Sequence, residues 1–401
     1  MKICLVRCPS PFLIEDKAFP PLGLLSVGTG LRLHGHEVVI HDGPLAEIPI
    51  GYEGYGFGPT APEYPHALVG MDLIREYAPK AKVVLGGPHA TLNFKSCCND
   101  GWDCIVVGDG DLIAHDAFVN NNHLLFAEDQ CLDNYPIPDR TLINLSDYEY
   151  WLSGRLATTL VTSRGCPFHC AFCCKNHSRV RFRSAAKVIE EIDMLHFQFG
   201  YNALLFPEDI FILDRTRAEI VCSHLKSLNI LWRCLVRADV LVRYGVEFVK
   251  IMKNCGCVAV GIGVESGSQT ILETVQKGES LETIKTAIYL LKAEDIHVKG
   301  FFVIGLPSES PETLAETEQF IAEMPLDDFD CKIYNPYPGS PIYDHRERYD
   351  INWTDLDLSR SFYKGRPGEY YGSVSTSLAT TEQIVAAWKR IEQTYKKWEE
   401  A

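Results

Sequence analysis

Short apolar strands alternate with helix-forming segments along most of this chain, and the alternation strongly limits its possible folds. Residues 1–125 contain the strand-like segments ICLVR, EVVIHD, GYEGYGFG, KVVLGG and DCIVVG, interleaved with helical patterns such as LGLLSVGTGLRLHG and PHALVGMDLIREYA. Neighbouring parallel strands need a crossover, usually a helix, so this alternation is typical of a parallel sheet. We therefore expect an α/β protein that begins with a doubly wound, Rossmann-like parallel sheet.

One crossover of this sheet is short. About ten residues, rich in Pro and Gly, separate HEVVIHD from GYEGYGFG, which is too few for a normal crossover helix. Ligands of doubly wound sheets bind outside the carboxyl ends of the strands. The residues expected at that edge are 20–23, 56–60, 86–89 and 108–111.

Six further strand–helix units follow a stretch punctuated by Pro and Asn. We interpret residues 126–155 as a linker and residues 156–345 as six β/α units, which predict a partial (β/α)6 barrel, smaller than the eight-unit form. The expected barrel strands are LATTLVTSR, ALLFPED, LWRCLVRAD, VAVGIGVES, HVKGFFVIGLP and DCKIYNPYPG. Polar or glycine residues stand at the end of nearly every strand, where β/α barrels keep their active sites.

Residues 346–401 are expected to form a small C-terminal extension that ends in a helix. Its apolar residues are spaced by four, three, four and three positions, which places them on one helical face. They are Ile384, Trp388, Ile391, Tyr395 and Trp398. We expect this face to pack on the barrel.

Charge and hydropathy exclude several function classes. The net charge of −15 argues against nucleic acid as the main partner, because phosphate binding needs a clustered basic face. Arg179, Arg181 and Arg183 form one local basic run, either a solvated loop or a remaining phosphate-binding patch. No apolar run approaches the roughly 18 to 20 residues of a membrane span, and the N-terminus reads as a buried strand, not a signal peptide. We therefore expect a cytoplasmic protein.

The fifteen cysteines also indicate a reducing compartment. Their number is odd and their spacing irregular, which a disulfide framework would not favour. Cys4, Cys222, Cys234 and Cys331 lie in apolar stretches and are expected to be small buried residues.

Four cysteines are concentrated in the stretch TSRGCPFHCAFCCKN, residues 162–176. Cys166, Cys170 and Cys173 have the spacing C-x3-C-x2-C directly after a barrel strand. Three thiolates on a short loop can hold three irons of a four-iron cluster, and the fourth iron then stays open for a substrate or cofactor.

Other readings of this stretch remain open from the spacing alone. Zinc competes if His169 or His177 supplies a fourth ligand, because structural zinc needs four. The cysteines could also form an apolar cluster without a metal. Cys174 could replace Cys173 in the ligand set, although the spacing favours Cys174 as the bystander.

The cysteine loop closely resembles the cluster loop of the radical S-adenosylmethionine family. Later segments resemble that family's motifs in the same order: LLFPEDIF its second strand, GVESGSQTILETVQKG its fourth, GFFVIGLPSES its fifth and YNPYPGSPIYD its sixth. This resemblance covers nearly all of residues 156–345. Residues 1–125 resemble the cobalamin-binding domain that precedes the barrel in one large subgroup, through FPPLGLLSVGTGLRLHGHEVVIHD, GFGPTAPEYPHAL, VVLGGPHATL and DCIVVGDGD.

The resemblance implies a 4Fe–4S cluster on Cys166, Cys170 and Cys173, with the amino and carboxylate groups of S-adenosylmethionine on the open iron. One electron, from a donor such as flavodoxin or ferredoxin, would then cleave a carbon–sulfur bond. The products would be methionine and a 5′-deoxyadenosyl radical, which abstracts a hydrogen from the substrate. Phe172 would pack near the adenine.

The resemblance also implies roles for polar residues at the strand ends. Glu208 or Asp209 would bond the amino group, unless they only cap a helix. Arg237 would reach the carboxylate or the ribose, unless it forms a structural ion pair. Glu265 and Ser266 would contact the ribose, unless they only form a turn.

For the first domain the resemblance implies bound cobalamin. The expected contacts are Pro21, Gly23, Gly58, Thr60, Gly86, Gly87, His89, Gly108 and Gly110. Gly86 and Gly87 would allow close backbone approach. Gly58 and Thr60 would face the lower side of the corrin or the nucleotide tail, and His89 is a candidate axial ligand.

Three departures from the cobalamin pattern are visible, and one of them is that the helices flanking residues 42–52 and 111–123 are short. The segment LHGHEV lacks the aspartate of the cobalt-ligating D-x-H-x-x-G signature, and Asp109 and Asp111 replace the family's two glutamates. A vestigial or substrate-recognition domain is the alternative reading.

If cobalamin binds, the resemblance implies methylation of an unactivated carbon in a small-molecule or peptide substrate. A radical rearrangement, cyclisation or oxidation is the alternative activity, and a metal-stabilised binding module is the alternative from another class. Tyr334, Tyr337 and His345 near the barrel mouth are candidate substrate contacts, or else packing residues around the NPYPGSP turn.

Overall fold

The structure of this chain is a computed structural model. It describes residues 1–11, 13, 15–177, 179–354, 356–358 and 371–395. Trp398, expected on the apolar face of the last helix, lies outside the described residues.

The first sheet is parallel throughout, with the strand order β2-β1-β3-β4-β5-β6. Its strands are β1 (Lys2–Val6), β2 (Glu37–His41), β3 (Gly54–Phe57), β4 (Lys82–Leu85), β5 (Cys104–Val107) and β6 (Leu124–Phe126). Its helices are α1 (Leu22–Leu33), α2 (Tyr64–Tyr77), α3 (Gly87–Cys97) and α4 (Ala114–Val119). The expected doubly wound sheet is confirmed.

Both faces of this sheet are buried, which explains why its strands read as continuous apolar runs. In β1, Cys4 and Val6 belong to one core cluster, whereas Ile3 and Leu5 belong to another. Successive side chains of a strand point to opposite faces, and helices cover both faces of a parallel sheet.

Two elements of this sheet are not evident in the sequence. α3 starts directly after β4, where the sequence shows Gly, Gly and Pro, and β6 adds a sixth strand across the expected boundary at residue 125. The short crossover before β3 contains only one turn of 3-10 helix, Leu45–Glu47, as its length predicts.

The second sheet is curled and has the order β15-β14-β13-β12-β11-β8-β7, parallel except for the β7–β8 pair. Its strands are β7 (Trp151–Leu152), β8 (Arg155–Thr159), β11 (Ala203–Phe206), β12 (Leu231–Val236), β13 (Cys257–Glu265), β14 (His297–Ile304) and β15 (Asp328–Ile333). The six parallel strands confirm a partial (β/α)6 barrel. Between β8 and β11, β9 (Ser163–Arg164) and β10 (Arg181–Phe182) form a separate antiparallel pair.

Helices cover the outside of the barrel. They are α5 (Ala185–Asp193), α6 (Arg215–Ser227), α7 (Ala238–Asn254), α8 (Gln269–Thr274), α9 (Leu281–Ala293), α10 (Pro311–Glu323), α11 (Pro341–Asp344) and α12 (Thr381–Tyr395). Side-chain caps fix several of their starts, since Ser280 accepts from the Thr283 N–H and Ser310 from the Thr313 N–H.

The last helix, α12, packs on the barrel as its sequence predicts. Ile384 and Ile391 are buried, and the Trp388 indole N–H donates to the carbonyl oxygen of Cys331 in β15 at 2.7 Å. Cys4, Cys222, Cys234 and Cys331 are also buried, as expected. Within the described part of the chain, no helix combines the length and apolar character needed to cross a membrane.

Candidate active site

A loop that carries the four clustered cysteines leaves the barrel between β9 and β10. We call residues 165–177 the cluster loop. Gly165 begins it with a φ of +88°, and a Cβ at this position would lie 2.5 Å from the carbonyl oxygen of Arg179. Only glycine fits both the left-handed backbone and the close approach.

Cys166, Cys170 and Cys173 line one cavity of about 480 Å³ at the carboxyl end of the barrel strands. We call it the cluster cavity. The loop rests on the barrel, because the Ala171 N–H donates to the carbonyl oxygen of Val275 at 2.8 Å. The structure therefore brings the three predicted ligands together.

Cationic side chains surround Cys170. Nη1 of Arg237 lies 3.7 Å from the Cys170 sulfur, and its guanidinium stacks 3.7 Å from the centroid of the Phe168 ring. A hydrogen bond from Cys173, aided by Lys277 and Arg237, lowers the pKa of Cys170 to about 6 despite burial. The same hydrogen bond, together with burial, raises the pKa of Cys173, so this environment favours the iron-binding thiolate form at Cys170.

The other readings of the cysteine stretch are less well supported. His169 is exposed, and His177 lies 3.4 Å from Asp109. Within the described ranges no three His, Cys, Asp or Glu side chains converge as ligands of one ion, whereas a four-iron cluster takes each thiolate on a separate iron. The Cys174 sulfur lies 3.6 Å from the carbonyl oxygen of Pro338, on the sixth-strand side.

Of the two acidic residues after β11, only Asp209 lines the cluster cavity. Asp209 is exposed, but desolvation by the residues around it raises the pKa of its carboxyl, and His177 partly offsets this effect. Glu208 is buried behind it and accepts hydrogen bonds from the hydroxyl and N–H of Thr162. Burial raises the pKa of Glu208 to about 7.

A chain of buried charges runs from Glu265 to Arg237, which lies beside Cys170. Nζ of Lys277 lies 2.9 Å from Glu265 and 3.3 Å from Glu279, which in turn lies 3.6 Å from Arg237. Burial lowers the pKa of Lys277, but the two carboxylates outweigh this effect and raise it. Glu265 lies at the end of β13, where its backbone φ is +66°.

The last two residues of the predicted S-adenosylmethionine site, Phe172 and Ser266, have different surroundings. Phe172 lines the cluster cavity. Ser266 is buried in the turn after β13, where its hydroxyl lies 3.1 Å from that of Thr317 and accepts from the Ser268 N–H. The structure thus gives Ser266 the partners of a turn residue.

A second cavity, of about 370 Å³, lies at the carboxyl edge of the first sheet. We call it the sheet-edge cavity. Six glycines of the predicted cobalamin site line it: Gly23, Gly58, Gly86, Gly87, Gly108 and Gly110. Pro21, the other predicted cobalamin contact near this edge, is the N-cap residue of α1. At Gly87, with a φ of +82°, a Cβ would lie 2.8 Å from the Gly58 backbone, so the two loops touch.

A third cavity, of about 410 Å³, lies between the first sheet and β15, and we call it the His89 cavity. It takes in the other two predicted cobalamin residues, Thr60 and His89. The His89 ring stacks 4.0 Å from Tyr64, and burial lowers its pKa to about 4, so it is neutral near pH 7. Among the described residues, no hydrogen-bond partner is found for its Nε2 or for the Thr60 hydroxyl.

Asn176, which the sequence did not single out, lines all three cavities. Phe172, Cys174, Val303 and Lys332 line both the cluster cavity and the His89 cavity. The three cavities therefore border one another at the end of the cluster loop. Proximity of Asn176 to the third cysteine was the only sequence signal for it.

The candidate substrate contacts and the basic run are placed as follows. Tyr334 and Tyr337 line the His89 cavity, and His345 follows α11.

Arg181 pairs with Asp109 at 2.6 Å and Arg183 with Glu191 at 2.6 Å. Both expectations for the basic run are therefore wrong for Arg181 and Arg183, because buried carboxylates neutralise them. Only Arg179, whose side chain is 76% exposed, keeps the character of a solvated loop residue.

Comparison with known proteins identifies relatives of this chain. The sequence model of the radical SAM superfamily matches residues 160–321. An uncharacterized methyltransferase from Pyrococcus horikoshii is 30% identical over 393 residues, covering 86% of this chain and 83% of the relative. An anaerobic magnesium-protoporphyrin IX monomethyl ester cyclase from Cereibacter sphaeroides is 27% identical over 304 residues, covering 68% of this chain and 50% of the cyclase.

A solved structure has the same fold over nearly the whole chain. It is the radical S-adenosylmethionine methyltransferase TsrM from Kitasatospora setae, with cobalamin and a 4Fe–4S cluster bound. The TM-score is 0.73 at 16% identity, and the match covers 97% of this chain and 90% of TsrM. This likeness extends across both sheets.

Proposed function

Because this chain belongs to the radical S-adenosylmethionine superfamily, we propose that it holds a 4Fe–4S cluster on Cys166, Cys170 and Cys173 and cleaves S-adenosylmethionine reductively. We further propose that this cleavage serves cobalamin-dependent methylation of an unactivated carbon in a small-molecule or peptide substrate. The electron donor would be a low-potential protein such as flavodoxin or ferredoxin, and the setting the cytoplasm.

The observation that carries this proposal is the meeting of the three cavities at Asn176. A methyl carrier and a radical source can act on one substrate carbon only if both face the same space. The cluster loop borders the sheet-edge cavity through Asn176 and His177. This arrangement supports a joint reaction better than two independent sites.

The residues around the cluster cavity fit the group they would hold. With S-adenosylmethionine bound, such a cluster supplies the electron that cleaves a carbon–sulfur bond and releases a 5′-deoxyadenosyl radical. The hydrogen bond from Cys173, with the charges of Lys277 and Arg237, lowers the pKa of Cys170 to about 6. Asp209 offers a carboxylate to an amino group, and Glu265 offers one to hydroxyls. Phe172 and Phe168 form apolar walls that help to exclude water.

The first sheet fits a bulky, flat ligand. Bound cobalamin would supply a methyl carrier. The sheet-edge cavity is bordered by glycine backbone, so a ligand can approach the strand ends closely. In the His89 cavity the neutral imidazole of His89 and the hydroxyl of Thr60 are polar groups to which a ligand can bind.

The proposal is tested on full-length protein reconstituted anaerobically with iron and sulfide. Hydroxocobalamin is added, the protein is desalted, and retained corrinoid is measured by absorbance. 5′-Deoxyadenosine is then quantified after reduction. We expect about one corrinoid per chain and reductant-dependent 5′-deoxyadenosine. Complete loss of corrinoid on desalting would refute cobalamin binding, and absence of 5′-deoxyadenosine would refute the radical chemistry.

A second candidate function is a radical cyclisation, rearrangement or oxidation in which no methyl group is added to the substrate. The relative from Cereibacter sphaeroides, named a cyclase, supports it, although this chain spans only half of that protein. Methyl-labelled S-adenosylmethionine separates the two: label in a product made from a metabolite extract indicates methylation, and an unlabelled new product indicates the second candidate.

A further inference from the structure

A largely buried group of charges joins the start of the cluster loop to the loop that follows β5 in the first sheet. Arg164, two residues before Cys166, holds Asp111 with both ends of its guanidinium, at 2.8 and 2.9 Å. Its Nη1 also lies 2.8 Å from Asp109. The carboxylate side chains are only 9% and 5% exposed for Asp109 and Asp111. These two aspartates are the residues that depart from the glutamates of the cobalamin-domain pattern.

The loop that carries the two aspartates, residues 108–111, is anchored within the first sheet. The Ser26 hydroxyl of α1 donates to Asp111. Helix α1 also approaches the loop so closely that a Cβ on Gly30 would lie 2.1 Å from the Asp111 carbonyl oxygen. The Gly108 N–H donates to the Thr91 hydroxyl at 3.0 Å. The loop therefore cannot shift without disturbing α1 and α3.

The other end of the charge group belongs to the two strands that close the cluster loop. Arg164 in β9 and Arg181 in β10 are paired residues of that ladder, and both bind Asp109. The Arg164 guanidinium also stacks 5.0 Å from the Tyr135 ring. Burial raises the pKa of Asp109, but the two arginines outweigh this and hold it below its usual value. This carboxylate therefore stays charged at neutral pH.

Buried ion pairs resist separation because each charge left behind is desolvated and unpaired. The bidentate contact between Arg164 and Asp111 adds a fixed geometry, which a lysine could not reproduce. The 108–111 loop and Arg164 itself line the sheet-edge cavity, and the cluster loop that follows Arg164 lines the cluster cavity. Ordering one loop must therefore favour the ordered form of the other.

We propose that Arg164 is a positioning residue that couples the two cofactor sites through Asp109 and Asp111, so that filling one site stabilises the other. This inference rests on the proposed function, because it takes the sheet-edge cavity as part of the corrinoid site. Coupling of this kind is reciprocal and typically changes an affinity by about fivefold or more.

The first test follows amide hydrogen exchange in the peptide that covers residues 104–113, in full-length protein with and without the cluster. No corrinoid is present in this experiment. Cluster reconstitution is expected to slow exchange of this peptide about fivefold or more in the wild type. Arg164→Lys and Asp111→Asn should remove most of this protection. Asp103→Asn is the matched control, since Asp103 pairs with Arg75 at 3.0 Å within the first domain, and it should keep the protection.

The second test measures the Kd of hydroxocobalamin for cluster-free and cluster-loaded protein. The wild type and Asp103→Asn should bind about fivefold more tightly with the cluster, and Arg164→Lys should bind equally in both forms. Should Arg164→Lys fail to fold, Asp111→Asn replaces it, because an amide in place of the carboxylate breaks the bidentate contact with Arg164.

The outcomes separate this inference from the proposed function. If the Kd of corrinoid does not depend on the cluster, and if cluster reconstitution does not change exchange at residues 104–113, the coupling is refuted and the proposed function still stands. Absence of corrinoid binding removes the methyltransferase proposal, and the exchange experiment then decides the loop coupling alone. Retention of full wild-type protection in both Arg164→Lys and Asp111→Asn would show that Arg164 does not transmit it.

Discussion

The two adjacent cysteines at the end of the cluster loop have different neighbours. Cys173 hydrogen-bonds to Cys170, which lies beside Arg237. The Cys174 sulfur instead lies near the carbonyl oxygens of Tyr337 and Pro338, at 3.8 and 3.6 Å. Neutral carbonyl oxygens do not favour a thiolate, so Cys174 is suited to remain a thiol.

Alanine substitutions at Cys170 and Cys174 should therefore differ sharply. Cys170→Ala removes a proposed cluster ligand, and since loss of a ligand's outer-shell partner already costs roughly 10–100-fold, we expect 5′-deoxyadenosine formation to fall by more than that. Cys174→Ala is the matched control and should keep near wild-type iron content and product. Iron analysis and product quantification check this. Equal effects of the two substitutions would place Cys174 in the ligand set.

Glu208 should make stability depend on pH. Burial raises its pKa from about 4.5 to about 7, so between these values the folded protein keeps a proton that the unfolded chain has lost. The contribution of protonated Glu208 to the free energy of unfolding is therefore lost as pH rises through about 7. The loss is roughly 3 kcal/mol in total. Glu208→Gln mimics the protonated acid and should remove this loss.

Thermal unfolding of cluster-free wild type and Glu208→Gln between about pH 5 and pH 8 checks this expectation. The variant should gain stability relative to the wild type as pH rises. Glu309, whose pKa burial also raises to about 7, titrates in both proteins and cancels in the difference. Parallel curves for the two proteins would contradict a neutral Glu208.

At the scale of elements, the junction of β4 and α3 determines how closely a ligand can approach the first sheet. Gly87 combines a φ of +82° with contact to the Gly58 backbone, whereas Gly35, after α1, has a φ of +80° and open space around it. Gly35→Ala should cost about 1–2 kcal/mol from its backbone conformation alone. Gly87→Ala should cost about 1–3 kcal/mol more, because its methyl group overlaps the neighbouring loop.

Denaturant unfolding and corrinoid retention measure the two substitutions side by side. We expect Gly87→Ala to weaken corrinoid binding and Gly35→Ala to leave it unchanged. A Gly87→Ala protein that is as stable as Gly35→Ala, with full retention, would mean that the 86–89 segment can move away from Gly58.

Strands buried on both faces were readable from the sequence, but α3 and β6 were not. The longer strands of both sheets are apolar runs that end in turn residues, so their type follows from local pattern. α3 begins with Gly-Pro, which resembles a turn, and its backbone departs from helical geometry at Asn93. β6 has three residues and gains its strand geometry from pairing with β5. Both elements depend on tertiary contacts.

For the candidate site, too, the local features were predictable from the sequence and the contacts between distant residues were not. The spacing of Cys166, Cys170 and Cys173 is a local property, and the structure places all three around one cavity. The ion pairs of Arg164 with Asp109 and Asp111 join residues more than 50 positions apart. Local sequence shows each charge but not its partner, which is why Arg181 and Arg183 read as a solvated run.

At the scale of the molecule, three cavities border one another between the barrel and the first sheet. The cavities of about 370, 410 and 480 Å³ are each within the range of ordinary ligand pockets, and they share Asn176. This arrangement depends on the relative placement of the two halves of the chain. It could not follow from the strand pattern of either half.

A bulky side chain at the junction should impair both cofactor sites at once. Asn176→Trp places an indole where the three cavities meet, and we expect the Kd values for both hydroxocobalamin and S-adenosylmethionine to rise about tenfold, or about 1.4 kcal/mol each. Leu24→Trp is the control, since Leu24 lines only the sheet-edge cavity among the three. It should weaken corrinoid binding and leave S-adenosylmethionine binding within about twofold. Equilibrium titration of cluster-loaded protein measures both affinities. If Asn176→Trp weakens only one of them, the cavities do not share the space in which a substrate would meet both cofactors.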